Sequence, residues 1–374
     1  MWMLGDDPPP KGDGKAHAAC APAVSACVLL AACATQAPVP AAPQPEQAAE
    51  TDSRFRVRPP APDLGDCIAT PIAANGVTVG ALVFEGGFAL TGLRSQFGGL
   101  SGLEAVDADM LLALTDEGGL VEIALGRDAD GAPTARCRFR ALEDALGEPL
   151  ADKQLADAEG LALLAPDLVA ASFERAHRVA FFRLGETARE DGAAVSFADK
   201  AGLDDNLGIE ALALMPSGEL LAGAESPTVV LRPHPVWRLA PTGDPARPFE
   251  PPGAVAFEIA TEPSFGLVGF EATPRGNLLA LERFYAEGIG NRIRIGWLPG
   301  SDVGGGDRLV RGLELARLAP DGALAVDNFE GIASLDAGGG MTTVWIVSDD
   351  NFNASQQTLL YRFSLDEAAL DGGD

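Results

Sequence analysis

Five glutamates recur along this 374-residue chain in one local setting, a small or apolar neighbour and a short apolar run. The segments are Gly102-Leu103-Glu104-Ala105-Val106, Ala158-Glu159-Gly160-Leu161-Ala162, Gly208-Ile209-Glu210-Ala211-Leu212, Gly269-Phe270-Glu271-Ala272-Thr273 and Asn328-Phe329-Glu330-Gly331-Ile332. A further acid follows each of them: Asp116 or Glu117, Glu174, Glu225, Glu282, and Asp349 with Asp350. Carboxylates crowded together raise one another's pKa and cannot all stay ionised without compensation. A hard cation is one remedy, because Ca²⁺ takes about six to eight oxygen ligands from carboxylates, carbonyls and Asn. Arginine pairing is another, and two of the acids precede an arginine, in Glu174-Arg175 and Glu282-Arg283. A third use needs no ligand: a recurring acid accepts hydrogen bonds from the backbone of the neighbouring repeat. Residue types alone leave all three open.

Other chemistries find less support. The chain holds three histidines, His17, His177 and His234, which leaves no room for a three-histidine zinc site beside other roles. His177 follows Glu174-Arg175 closely and is a candidate acid or base; the alternative is a turn histidine. There is no Gly-x-Ser-x-Gly elbow; Gly99-Leu100-Ser101-Gly102 lacks the spacing. With 54 acids against 27 bases the net charge is −27, which excludes a phosphate-neutralising nucleic-acid surface.

The spacing of the glutamates, 55, 51, 61 and 59 residues, is a repeat period. After each glutamate comes a Pro, Gly or Asx turn, then a second and a third strand-length run, and between repeats a fourth. Four strands per repeat is a propeller blade, so the fold class is all-β, a β-propeller with five blades counted and a degenerate sixth possible within 67–98. The run 77–90 is expected to close the ring by pairing with the blade that ends at Leu365. In such a ring the first strand of each blade lines the central channel, and the five glutamates are expected to meet at one mouth.

Upstream, Lys11 and Lys15 precede a small apolar run ending Leu30-Ala31-Ala32-Cys33, which resembles a bacterial lipobox. This reading makes 1–33 a lipoprotein-type signal with lipidation at Cys33, and places the protein on the periplasmic side of the cell envelope, touching membrane only through the lipid. Residues 34–63 are rich in Pro and Ala and form a tether. The propeller occupies 64–366 and an acidic tail 367–374. Cys67 and Cys137 are either a disulfide of an oxidising compartment or two buried thiols.

Glu159-Gly160-Leu161-Ala162 with Ser172-Phe173-Glu174-Arg175, and Phe329-Glu330-Gly331-Ile332 with Val347-Ser348-Asp349-Asp350-Asn351-Phe352, resemble the phytase-like family described as esterase-like activity of phytase. Gly269-Phe270-Glu271 with Leu281-Glu282-Arg283-Phe284 fits the same pattern. The resemblance implies ester or phosphate-ester hydrolysis on a propeller, with a small-molecule substrate. It also implies Ca²⁺ held by Glu159, Glu174, Glu271, Glu282, Glu330, Asp349, Asp350 and Asn351. Arg175, Arg283 and His177 are then the candidate catalytic groups. The alternative is a lipid-tethered propeller that binds without turnover.

Overall fold

The computed structural model describes residues 65–371, apart from 201–202, 204–206, 227–231 and 306–307. The expected lipidation at Cys33 and the tether over 34–63 lie outside the described residues. No helix among the described residues is long and apolar enough to cross a membrane.

Five antiparallel blades follow one another along the chain. Their inner strands are Leu100–Asp107, Ala158–Ala165, Ile209–Leu214, Gly266–Ala272 and Asn328–Gly338. Each inner strand packs against the inner strand of the next blade, and the fifth packs against the first. That closed circuit makes the molecule a five-bladed propeller. Second strands run Met110–Thr115, Leu168–Phe173, Leu220–Ala224, Leu278–Ala286 and Met341–Asp349. Third strands run Gly119–Arg127, Arg178–Leu184, His234–Leu239, Gly290–Leu298 and Thr358–Asp366. Both faces of these strands are covered by neighbouring blades, so they read as continuous apolar runs such as Leu220–Ala224, buried throughout.

The core is correspondingly divided. Five hydrophobic clusters fill the five gaps between adjacent blades. Phe181, Trp237 and Phe249 pack between blades two and three, for example, and Leu82, Ile295 and Phe363 between blades four and five. A ring of separate cores must be closed by pairing, and it is. The strand Leu82–Gly92 joins the third strand of blade five, with Leu82 opposite Leu365 and Leu90 opposite Thr358. The N-terminal strands therefore extend blade five and do not form a sixth blade.

Outside that closing strand lies Cys67–Ile72. Cys67 forms a disulfide with Cys137 of blade one, across 70 residues of sequence. Asp66 reinforces the join, its N–H donating to the Cys137 carbonyl at 3.1 Å and its carboxylate accepting from the Phe139 N–H at 2.9 Å. At the other terminus, Glu367–Asp371 is a short helix. Glu367 is fully buried because its carboxylate accepts from Thr273, Thr342 and Asn277, which ties blade four to blade five.

Candidate active site at the acidic channel mouth

Every inner strand begins with the same irregularity. Register with the second strand slips between Leu100 and Gly102, Ala158 and Leu161, Ile209 and Ala211, Leu267 and Gly269, and Phe329 and Gly331. A bulge frees a residue from ladder pairing and re-aims its side chain. The freed positions include Ser101, Glu159, Glu210, Val268 and Glu330. Three blades thus place a glutamate at the bulge, and blades one and four do not.

One step before each bulge the two strands pair again, and this defines the rim. The opposed residues are Gly99 with Asp116, Asp157 with Glu174, Gly208 with Glu225, Gly266 with Arg283, and Asn328 with Asp349. Four blades carry an acid at this register of the second strand and the fourth blade carries Arg283. Two opposed glycines are required by the approach of these side chains. A Cβ at Gly99, where φ is +60°, would lie 1.9 Å from Asp116 Oδ1, and one at Gly266 would lie 1.8 Å from Glu225 Oε1.

The mouth therefore gathers eight carboxylates: Asp116, Asp157, Glu159, Glu174, Glu210, Glu225, Glu330 and Asp349. Three cations are bonded among them. Arg283 Nη1 donates to Glu330 Oε1 at 2.5 Å and also to Asn328 Oδ1. Arg175 Nε donates to Asp157 Oδ2 at 2.5 Å. Lys153 Nζ bridges Asp116 at 2.8 Å and Asp157 at 2.7 Å. Asn328 adds a neutral donor, reaching Glu330 at 2.9 Å and Asp349 at 3.3 Å.

This leaves an excess of negative charge, and the protonation equilibria carry its mark. Burial, followed by the charges of Glu210, Glu330, Glu174 and Asp157, holds Glu159 well above the usual carboxylate range. Glu210 is raised in the same way by burial, Glu174, Glu225 and Glu330, with Arg283 opposing. Burial and the charge of Asp157 lift Glu174 to about 7. Burial lifts Glu225 to about 7 against the pull of Arg283. Asp349 reaches about 8 through burial and Glu330.

Two observations suit a hard cation at this mouth. Oxygens of Asp157, Glu159 and Glu174 all lie within 4.8 Å of one another. Asp116 Oδ1 is buried with no hydrogen-bond partner. An all-oxygen, strongly anionic donor set is the chemistry that Ca²⁺ selects.

Of the residues singled out by sequence, Glu159, Glu174, Arg175, Arg283, Glu330 and Asp349 meet here. Others do not. Glu282 sits one position inside Arg283, so it points to the opposite face of its strand; there it is 1% exposed and ion-paired to Arg294. Burial still lifts it to about 7, against Arg294. Glu271 and Glu104 lie deeper, at the third position after the bulge. Glu271 accepts from the Ser334 N–H at 3.0 Å and its hydroxyl at 2.7 Å, and Glu104 accepts from the Leu163 N–H at 3.0 Å. The expectation that all five glutamates share one mouth is therefore corrected: three do, and two bond the neighbouring blade's strand.

Asp350 is consumed by its loop. Its carboxylate accepts from Gly99, Phe352 and Thr358 at 3.0–3.1 Å. That holds Asn351 and Phe352 in left-handed conformations, φ 47° and 49°, and Asn351 is exposed. His177 occupies a turn with φ 42°, its Nδ1 buried without a hydrogen-bond partner. Among the described residues it makes no hydrogen bond or ion pair with the carboxylates of the mouth.

Asp157, Lys153 and Asn328 escaped the sequence reading. One signal was present. Counting from the bulge, Ser101 to Asp116, Glu159 to Glu174, Glu210 to Glu225 and Val268 to Arg283 each span 15 residues. Counting from the glutamates hides this constancy and picks Glu282 in place of Arg283.

Residues 95–352 match the phytase-like family, described as esterase-like activity of phytase. The chain belongs to this family. Among curated proteins none matches it. Solved structures similar to this phytase-like propeller include the PQQ-bound aldose sugar dehydrogenase of Streptomyces coelicolor, at 15% identity and TM-score 0.36, covering 72% of this chain and 97% of that one. A catalytically inactive virginiamycin B lyase of Staphylococcus aureus with quinupristin shows 10% identity and TM-score 0.37, covering 79% and 95%. The calcium-binding protein regucalcin of Agrobacterium tumefaciens shows 15% identity and TM-score 0.35, covering 82% and 92%. The propeller assignment for the phytase-like chain rests on its own closed ring of five blades.

Proposed function

We propose that this phytase-like propeller is a Ca²⁺-dependent hydrolase of small-molecule esters or phosphate esters, acting at the acidic mouth and held in the periplasm by a lipid on Cys33. The observation that carries the reading is the convergence of Asp157, Glu159 and Glu174 within 4.8 Å, beside the half-buried Arg283 bonded to Glu330. Asp157, Glu159 and Glu174 would hold the cation, with Glu210 and Glu330 adjoining. The bound cation would polarise the ester or phosphoryl oxygen and make water more acidic.

The chain's own groups supply the rest. Glu174, titrating near 7 and partly exposed, suits proton exchange with an attacking water at neutral pH. Arg283 spends Nη1 on Glu330 and Asn328, while a guanidinium carries five N–H donors. The remaining donors suit an anionic substrate oxygen and the charge that develops on it.

One observation favours the alternative, a tethered propeller that binds without turnover: among the described residues the His177 ring makes no hydrogen bond to the carboxylates of the mouth. Hydrolysis of p-nitrophenyl acetate and p-nitrophenyl phosphate, with Ca²⁺ or EDTA, separates the two. The hydrolase reading expects EDTA-sensitive turnover that Glu174→Gln abolishes even at Ca²⁺ concentrations raised to offset the ligand it removes. Ca²⁺ binding with no turnover of either ester would support the binding propeller. Failure to bind Ca²⁺ would overturn the metal assignment itself.

A further inference from the structure

A cavity of about 650 Å³ lies away from the acidic mouth. It opens between blades five and one, where the turn at Ala108 and Asp109 joins the first two strands of blade one, at the end of the ring opposite Asp116. That volume falls within the range of small-molecule sites, roughly 300–1,000 Å³. Ile72, Phe88, Leu125, Trp345 and Leu360 give it an apolar wall.

Three features say what would fill it. Trp345 is 2% exposed, and its indole N–H is buried with no hydrogen-bond partner. A tryptophan buried to this degree normally finds an acceptor. Second, the Arg362 guanidinium lies over the Trp345 ring, 5.9 Å from its centroid. Third, in a chain with twice as many acids as bases, neither Arg362 nor Arg127 has a carboxylate partner among the described residues, although both line the cavity. Arg127 gives Nη1 to the Gly131 carbonyl. Glu85 and Asp109 also line the cavity, and Glu85 is engaged by Ser364 at 3.0 Å. An unmet donor next to a cation with no carboxylate in ion-pair contact, set in an apolar wall, suits an acceptor that is itself anionic.

We propose that this interblade cavity binds a small amphipathic organic anion. Its apolar body would lie along Phe88, Leu125 and Leu360, and its carboxylate or sulfonate oxygen would accept from Trp345 Nε1 and Arg362. The site is separate from the acidic mouth, and its fate is independent of the hydrolase reading.

The test is a fluorescence titration of the full-length protein with anilinonaphthalene sulfonate, followed by competition with decanoate and with decanol. Saturable binding of one equivalent is expected, displaced by decanoate and not by decanol. Arg362→Gln, at an exposed position, and Trp345→Phe, which keeps the ring and removes the N–H, should each weaken binding about tenfold, the usual scale for a hydrogen bond to a charged group. Gly126→Leu should narrow the cavity and block binding; a Cβ there meets only Thr134 Oγ1, at 3.4 Å, so the chain accommodates it. Glu174→Gln should leave binding unchanged. Failure to saturate would mean that water meets the indole N–H and the cleft is solvent-filled. Equal displacement by decanol, or wild-type affinity in Arg362→Gln and Trp345→Phe, would equally overturn the proposal.

Discussion

Two sets of acids line one channel, and they solve the problem of burial differently. Glu104 and Glu271 lie below the bulges and accept hydrogen bonds from the neighbouring blade at Leu163 and Ser334. Burial raises both, Glu104 to about 8, and the Glu104 charge adds to the rise at Glu271. Neutral donors satisfy them, and they fasten blade one to blade two and blade four to blade five. Glu159, Glu210 and Glu330 sit at the bulges, where other carboxylates and Arg283 surround them. A depth difference of three residues along the inner strand separates an acid that holds blades together from one with charge to spare for a ligand.

The largest expected effect comes from removing the cation of the upper set. Arg283→Met leaves Glu330 and Asn328 without their half-buried partner, and a loss of about 3 kcal/mol is expected, the upper end for a hydrogen bond to a charged group. Urea unfolding in EDTA near pH 8 measures it. Ser334→Ala removes one of the neutral donors to Glu271, for which a loss of about 1–2 kcal/mol is expected in the same assay. Equal losses would erase the distinction between the two sets.

Ca²⁺ sharpens the contrast. Binding to the folded state alone adds about 2.7 kcal/mol at one hundred times the dissociation constant. Glu159→Gln should abolish that gain and Glu271→Gln should keep it, as read by thermal unfolding with and without Ca²⁺. A gain that survives in Glu159→Gln would move the cation away from the bulge glutamates.

The pH dependence has a definite sign. Raised carboxylates hold protons in the folded state that the unfolded chain has released between the ordinary value of 4.5 and the folded value of about 7 for Glu174 and Glu225. In that window the unfolded state binds fewer protons, so metal-free stability falls as pH rises. The slope is about 1.4 kcal/mol per pH unit for each proton held in excess. Ca²⁺ displaces those protons, so its stabilisation should grow across the same window. A metal-free melting temperature that rises from pH 5 to pH 8 would contradict the crowding of the upper set.

How much of this was legible differs between fold and site for physical reasons. Strand runs such as Met110–Thr115 and Arg178–Leu184 coincide with the structure because strand burial and turn chemistry are local properties. The closing strand was legible because an open edge in a ring of blades has to be paired. The site was half legible. A glutamate motif repeats, but a bulge decides whether the glutamate faces the mouth or the next blade, and the motif is blind to register. Arg283 replaces an acid only when counted from the bulge. Lys153 and Asn328 reach the mouth through contacts with Asp116 and Glu330, 37 and 2 residues away respectively, and no repeat announces them.

The smallest expected effect is the most discriminating. Glu104→Gln keeps an acceptor for the Leu163 N–H and resembles the protonated acid. Near pH 4 the wild-type side chain is largely neutral in both states, because burial lifts Glu104 from its ordinary 4.5 to about 8 in the folded protein and the unfolded chain still keeps most of its proton. Substitution there should change stability by less than about 0.5 kcal/mol, below the usual value of one hydrogen bond. Near pH 9 the signs separate. Between 4.5 and about 8 the unfolded wild type releases a proton that folded Glu104 keeps, so wild type loses stability across that window and the full loss is present at pH 9. The variant has nothing to ionise at that position and should melt higher than wild type. Its Ca²⁺ response should equal that of wild type at both pH values. Were Glu104→Gln to lose the Ca²⁺ response, the deeper acids would belong to the same electrostatic unit as the mouth, and the bulge would no longer mark the boundary between structure and chemistry.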